Sequence, residues 1–257
     1  MADRSAQARR TSTCLRGWNL GAGALHAAQA VAVLLLANDF ALPVTATYLQ
    51  GPPGVADPEL TVLYDARLAW GVAAFLAASA VAHWVVAGPW FERYLADLRR
   101  GRNIARWVEY SVSASIMIVL IAQLTGISDA AALLALFGVN ASMILFGWLQ
   151  EVYENPGGGG WLPFVFGCVA GAVPWLAVVV YVVSPGSTSA SDPPGFVYAI
   201  IVSLFVLFNV FAVNQYLQYR QVGRWRDYLF GEYVYVGLSL VAKSLLAWQV
   251  FAGSLAA

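Results

Sequence analysis

Lys243 is the only lysine in the chain; the other thirteen of its fourteen basic residues are Arg. It stands in an apolar run, with Val-Gly-Leu-Ser-Leu-Val-Ala before it and Ser-Leu-Leu-Ala-Trp after it. An ammonium group at the centre of a membrane-spanning helix costs at least ~2.5 kcal/mol. Arginine keeps its charge in proteins, whereas a lysine can become a neutral amine, and a neutral amine condenses with an aldehyde to a Schiff base. One lysine at membrane depth in an otherwise lysine-free chain therefore points to covalent attachment of a carbonyl cofactor.

The natural partner for Lys243 is Glu109, the one acidic residue that falls clearly inside a span, in the segment Arg106-Trp-Val-Glu109-Tyr-Ser-Val-Ser-Ala-Ser-Ile-Met117. Asp39, Asp65, Asp129, Glu151 and Glu232 all fall near span ends. A buried Lys and a buried Glu on separate helices lower each other's cost of ionisation. Counting residues from the helix ends leaves a depth gap of roughly 9–13 Å between them at 1.5 Å per residue. Helical side chains lean toward their own N-terminus, and a lysine reaches ~6 Å that way. The pair is feasible with a water or hydroxyl between its members.

Other polar residues share the same half of the membrane at helical spacings. His26 and Gln29 are three apart, while Ser79 and His83, Glu109 and Ser113, and Ser239 and Lys243 are each four apart, so each pair lies on one helix face. Taken singly, each reads as interhelical packing with a local hydrogen bond. Two His, one Glu and one Lys in one membrane half predict a shared polar cavity, because intramembrane ionisable groups are expensive and almost always face the bundle interior or a water-filled cavity, paired with one another.

These residues sit in a chain that is 60% hydrophobic and only 11% charged, less than half the charge content of soluble domains. That composition defines a polytopic membrane protein. Its zero formal net charge argues against a nucleic-acid role. Cys14 and Cys168 are too few for a disulfide framework and read as free thiols. Apolar stretches fall at 17–39, 62–87, 104–126, 130–150, 161–184, 195–218 and 229–252. Each is long enough to cross ~30 Å of hydrocarbon as a helix. The first contains His26 and Gln29 and outruns a signal-peptide core, so it reads as a span. Gly51-Pro52-Pro53-Gly54, Asn155-Pro156 with four Gly after it, Ser184-Pro185-Gly186 and Asp192-Pro193-Pro194-Gly195 are turn or linker signals between spans. In the longest connection, about 40–61, Thr45-Ala-Thr-Tyr-Leu-Gln50 predicts a short strand, one half of a β-hairpin.

Twelve of the thirteen Arg fall on one side of this arrangement: Arg4, Arg9, Arg10 and Arg16; Arg93, Arg99, Arg100, Arg102 and Arg106; and Arg220, Arg224 and Arg226. Only Arg67 falls toward the other. The positive-inside rule then puts the N-terminus in the cytoplasm and the C-terminus outside. Ten Trp within a 14% aromatic content read mostly as interfacial belt. Phe205, Phe208 and Phe211 recur every three residues on the sixth span, which is ordinary helix packing unless a long polyene hangs from Lys243; the stripe would then wall its pocket.

Seven spans with a mid-helix Lys in the last resemble a microbial rhodopsin. The common ion-pumping type has its N-terminus outside, an Arg-Tyr-x-Asp-like third helix and an Asp four residues before the Lys. Here the third helix reads Arg106-Trp-Val-Glu109-Tyr-Ser, and Ser239 stands four before Lys243. Inverted topology, a Glu followed by Tyr-Ser, His in the first two helices and Ser-x-x-x-Lys in the last resemble the heliorhodopsins across essentially the whole chain. The resemblance implies an all-α seven-helix bundle with all-trans retinal on Lys243, Glu109 as counterion, and a cytoplasmic-side cavity that accepts the proton and contains His26, His83, Gln29 and Ser79. It implies a pocket including Ser239, Tyr110, Ser113 and Met117, with Asn140, Met143, Ile144, Gly147 and Phe208 as further candidates. It also implies a homodimer in the cell membrane, and a light sensor with a slow photocycle whose signalling partner lies on the cytoplasmic side. Competing readings are a light-driven proton or ion transporter, and a pigment-free transporter using the Lys243–Glu109 pair as a proton relay. No metal-ligand spacing, nucleophile elbow or phosphate loop points to an enzyme.

The topology is directly testable. A fluorescent or epitope tag at residue 1 should stay protected from impermeant reagents in intact cells; labelling from outside would invert the assignment.

Overall fold

A computed structural model describes residues 2–55, 57–183 and 193–256, with side chains from residue 12 onward. The turns containing Ser184-Pro185-Gly186 and Asp192 therefore lie outside the described residues, as do the side chains of Arg4, Arg9 and Arg10. In chain order the elements are α1 (Ala2–Leu36), β1 (Ala41–Tyr48), β2 (Glu59–Arg67), α2 (Leu68–Ala87), α3 (Phe91–Arg99), α4 (Ile104–Leu124), α5 (Ala130–Tyr153), α6 (Leu162–Val183), α7 (Gly195–Tyr219) and α8 (Tyr228–Val250). A 3₁₀ turn, Gly223–Arg226, precedes α8, and a π-turn, Phe251–Leu255, follows it.

Among the described residues, seven helices are long and apolar enough to cross a membrane, the first as Ser12–Leu36 and the last as Tyr228–Leu255. The short helix α3 is the exception. Its apolar residues Tyr94 and Leu98 are buried against Leu15 and Val86, while Arg99 and Arg100 stay exposed. It lies along the Arg-rich end of the bundle, and nothing in the hydropathy of the spans reveals it.

Polar residues at the helix starts fix several boundaries. The Asn103 side chain accepts from the Arg106 N–H at 3.0 Å, Asp129 from Ala132 at 2.9 Å and Asp227 from Leu229 at 3.0 Å, satisfying amides that the first helical turn leaves unpaired.

The connection between α1 and α2 is a full antiparallel hairpin, Ala41 pairing with Arg67 through to Tyr48 with Glu59, with an irregularity between Val44 and Thr45. At its tip Val55 N–H donates to Pro52 at 3.1 Å, and Gly54 takes φ +80°. That is the combination a type II turn requires, Pro at its second position and Gly at its third. The second strand corrects the sequence-based boundary. Residues 62–67 extend the apolar stretch that begins at 62, but they are strand, and helix begins only at Leu68. Val62, Leu63 and Tyr64 form an apolar, exposed run of β-favouring residues, which hydropathy averaging merges with the helix that follows. The hairpin is tied to the bundle where Thr45 N–H donates to the Ser128 carbonyl at 2.8 Å and the two hydroxyls meet at 3.0 Å.

The apolar core sits between Lys243 and the hairpin end. Val72, Phe75 and Leu76 of α2, Ile118 and Ile121 of α4, Leu204 of α7, and Leu246, Ala247 and Val250 of α8 all have 0% exposure. At the other end α1 and α2 pack unusually closely through Gly23: a Cβ there would fall 2.7 Å from the Trp84 indole nitrogen and 3.2 Å from the His83 Cβ. Gly23→Leu should therefore lose roughly 1–3 kcal/mol through overpacking, read as a lower melting temperature in detergent. An unchanged melt would mean that α1 can simply shift away.

Candidate functional site

Lys243 Nζ lies 2.7 Å from Glu109 Oε1, with the two side chains 4% and 9% exposed. Residue counting allows for a bridging water or hydroxyl because it assumes level helix ends; in the bundle the charged groups touch. The Ser79 hydroxyl donates to the same Glu109 oxygen at 2.6 Å and also reaches the Phe75 carbonyl at 3.0 Å. Ser113, one turn after Glu109, stands beside the carboxylate. Helices α2, α4 and α8 thus converge on one carboxylate.

His26 and His83 bring α1 and α2 together, their rings stacked with centroids 5.7 Å apart and planes 15° from parallel. Both imidazoles lie within electrostatic reach of Lys243 and Glu109. Gln29 exchanges hydrogen bonds with Ser244, the neighbour of Lys243, at 2.9 and 3.1 Å, and so ties α1 to α8 beside the pair. Ser239 is buried one turn before Lys243.

On the other side of Lys243 opens a cavity of about 670 Å³, lined almost entirely by apolar groups. Tyr110, Ser113, Met117, Met143, Ile144, Gly147, Phe208, Ser239 and Lys243 all line it. Asn140 does not. It is buried and donates to Ser115 Oγ at 3.1 Å, pinning α5 to α4, because its side chain turns toward α4 at a level where α5 and α4 are in contact. Sequence reasoning missed the α6 wall altogether: Gly167, Cys168, Gly171 and Trp175 line the cavity. The signal was present in the small residues four apart, Gly167 and Gly171, which keep this wall thin. The Phe205, Phe208 and Phe211 stripe is both packing and wall: Trp175 stacks edge-on against Phe205 and Phe208 at 5.3 and 5.6 Å, and all three Phe face the cavity.

A second ionic cluster, which sequence reasoning scattered among loop and span-end charges, closes the Arg-rich end. Arg106 bridges Glu151 of α5 and Glu232 of α8, all with side chains no more than 3% exposed. The Trp107 indole donates to Glu151 at 2.5 Å, the Asn103 amide to Glu232 at 2.6 Å, and the guanidinium lies 3.8 Å over the Tyr235 ring. Tyr94 of α3 donates to Glu232 at 3.2 Å. Burial, and then the Glu232 carboxylate, push the Tyr94 phenol well above its ordinary value, so it keeps its proton and remains a donor. The available clue was that Arg106 falls inside the first turn of an apolar helix rather than before it.

A seven-helix bundle in which a lysine of the last helix lines an apolar cavity between the helices has the rhodopsin-like architecture. A light-driven proton pump, LR (Mac), from Leptosphaeria maculans shares the fold with a TM-score of 0.57 at 13% identity, covering 95% of this chain and 93% of that one. No curated protein matches the sequence. The heliorhodopsin family model matches residues 15–255, and the chain belongs to the heliorhodopsin family. It is thereby a multi-pass membrane protein of the retinal photoreceptor type, in a family that is generally non-enzymatic. The site fits retinal: the cavity lies within the roughly 300–1,000 Å³ usual for small-molecule sites, its walls are apolar and aromatic, and the chain's one side-chain amine stands at its end.

The Arg106 cluster yields a stability prediction. Arg106→Gln leaves two carboxylates buried without a counter-charge and should cost about 3–5 kcal/mol. Glu151→Gln leaves Arg106 paired with Glu232 and should cost distinctly less. Thermal melts of the two variants should rank in that order; equal melts would show that the cluster is solvated.

Proposed function

We propose that this protein is a light-sensing photoreceptor that carries all-trans retinal on Lys243 as a protonated Schiff base, with Glu109 as counterion. The observation that carries this reading is the 2.7 Å contact between Lys243 Nζ and Glu109 Oε1 at the end of an apolar cavity. Retinal, when bound, supplies light absorption and a photoisomerisation that disturbs the environment of Nζ. The chain's residues do the rest. Glu109 holds a negative charge against Nζ, and Ser79 fixes the oxygen that faces it. Tyr110, Met117, Trp175 and Phe208 exclude water from the cavity. His26 and His83 accept and share the proton that leaves Nζ.

The same residues favour signalling over pumping. A pump needs ionisable or hydrated steps on both sides of the lysine. Toward the Arg-rich end lie Glu109 and both imidazoles. Toward the hairpin end the path from Lys243 meets Ile118, Ile121, Leu246 and Val250, all with 0% exposure, and Ser239 stands where pumps commonly carry a second carboxylate. A proton released from Nζ waits among the imidazoles and returns the way it left. That gives a slow photocycle with a long-lived photoproduct, able to bias helix packing and inform a partner. In this reading the Arg-rich end is cytoplasmic, the protein is a homodimer in the cell membrane, and the partner docks on the cytoplasmic side.

Two experiments test this. Lys243→Ala, expressed with added retinal, should fold and insert but stay colourless, because the N-terminus is the only other primary amine; a retained visible band would refute the attachment. Sustained illumination of wild-type cells or liposomes should give no protonophore-sensitive pH change. A robust shift abolished by protonophore would make the transporter reading correct.

A further inference from the structure

The two histidines are not equivalent, and the difference lies in Asn19. Asn19 is buried on α1, one turn before Gly23, and its side-chain Nδ2 donates to the Leu15 carbonyl at 2.9 Å. That bond fixes which way the amide points and leaves Oδ1 facing His83 Nδ1 at 2.8 Å. An amide oxygen has no hydrogen to give. His83 Nδ1 must therefore be the protonated nitrogen, and Nε2 the one with the free lone pair. His26 is different: it has 0% exposure, and neither ring nitrogen has a hydrogen-bond partner among the described residues.

We propose that Asn19 is a positioning residue that fixes His83 as the Nδ1–H tautomer and so makes His83 Nε2 the primary acceptor for the proton released at Lys243. This rests on the photoreceptor reading for its proton source but not for the tautomer. The proton binds the Nε2 lone pair and leaves its own bonding pair on Nζ. The imidazolium so formed keeps its Nδ1–H donated to Asn19 Oδ1, now as a hydrogen bond from a charged donor. The same proton placed on His26 would leave two N–H donors fully buried with no acceptor. A hydrogen bond to a charged group is worth about one to two powers of ten in an equilibrium, enough to set the order of the two histidines.

The Asn19 amide also lies near the Tyr94 hydroxyl, which donates to Glu232 at 3.2 Å, so the acceptor sits beside the Arg106 cluster.

The test uses the full-length protein in lipid nanodiscs, without a polyhistidine tag, labelled with ¹⁵N-histidine. The chain has only two histidines, so His26→Phe assigns the spectrum; should that variant fail to fold, the signal that moves between wild type and Asn19→Leu identifies His83. In retinal-free and pigmented protein alike, His83 should show a protonated Nδ1 and a bare Nε2. Asn19→Asp should keep that tautomer, and Asn19→Leu should lose it. In flash photolysis, Asn19→Leu should lower the yield of the deprotonated photoproduct by about tenfold, Asn19→Asp should not, and His83→Phe should alter proton-transfer kinetics more than His26→Phe. An Nε2–H tautomer in the wild type, a tautomer indifferent to Asn19→Leu, or a larger effect from His26→Phe would overturn the proposal. A protein that never takes up retinal would sink the photoreceptor reading and with it the accepting role, whereas the wrong tautomer in a coloured protein sinks this proposal alone.

Discussion

The contact between Lys243 and Glu109 is the constraint around which the bundle is arranged. Each charged side chain at membrane depth costs roughly 2.5–3.5 kcal/mol. At 2.7 Å, opposite unit charges attract by about 6 kcal/mol at an effective dielectric constant near 20. The two effects nearly cancel, so the charged pair is tolerable, whereas either member alone is accommodated only by becoming neutral. The pair therefore contributes little net stability, and its value is chemical: a carboxylate held permanently against the one amine that can carry an aldehyde. Water on the hairpin side would screen the attraction, and the fully packed layer of Ile118, Ile121, Leu246 and Val250 keeps it out.

The polar groups sort by distance from that pair. Ser79 and Ser113 serve Glu109 directly. His26, His83, Gln29 and Ser244 form the next layer, with α1 brought close by the missing side chain at Gly23. Tyr94 then connects to Glu232, in the cluster with Arg106 and Glu151 where α4, α5, α8 and the short α3 are held together. The Arg-rich end of the bundle is further tied by Gln215, which donates to the Gly147 carbonyl at 2.9 Å, and Tyr219, which donates to Gln150 at 2.9 Å. The ionisable groups buried near Lys243, namely Glu109, His26 and His83, lie on this side of it; toward the hairpin the buried layer is apolar, with amides and hydroxyls such as Gln123, Asn140 and Ser115 in it, and the carboxylates there, such as Asp39, sit at exposed span ends. On that asymmetry rests the proposal of a sensor rather than a pump.

How much of this the sequence discloses depends on whether a signal is local. Seven spans, the uniqueness of Lys243 and the solitary Glu109 are legible because each is a departure from composition within one short window. The α3 helix and β2 are lost because hydropathy averages over a length longer than either. Asn140 illustrates a different limit: residue type and helix phase put it near the cavity, but only the angle between α4 and α5 decides that it turns to Ser115 instead. The Arg106 cluster is lost because its three charges are each close to a span end, where a charge is normally solvated. Only the contact between α4, α5 and α8 makes them buried, and three-body contacts leave no trace in one helix's periodicity. Asn19 belongs to the same class, an unremarkable amide until the Leu15 carbonyl and His83 are seen on either side of it.

The most direct measurement of the central claim is the visible absorption of the retinal-reconstituted protein across a pH series, wild type beside Glu109→Gln. If the Glu109 carboxylate is what holds the charge at Nζ, the variant should lose its visible band at neutral pH in favour of near-ultraviolet absorption, or show a red shift in whatever stays protonated. A variant whose spectrum and titration both match the wild type would contradict the account, because some other anion would then be facing Lys243.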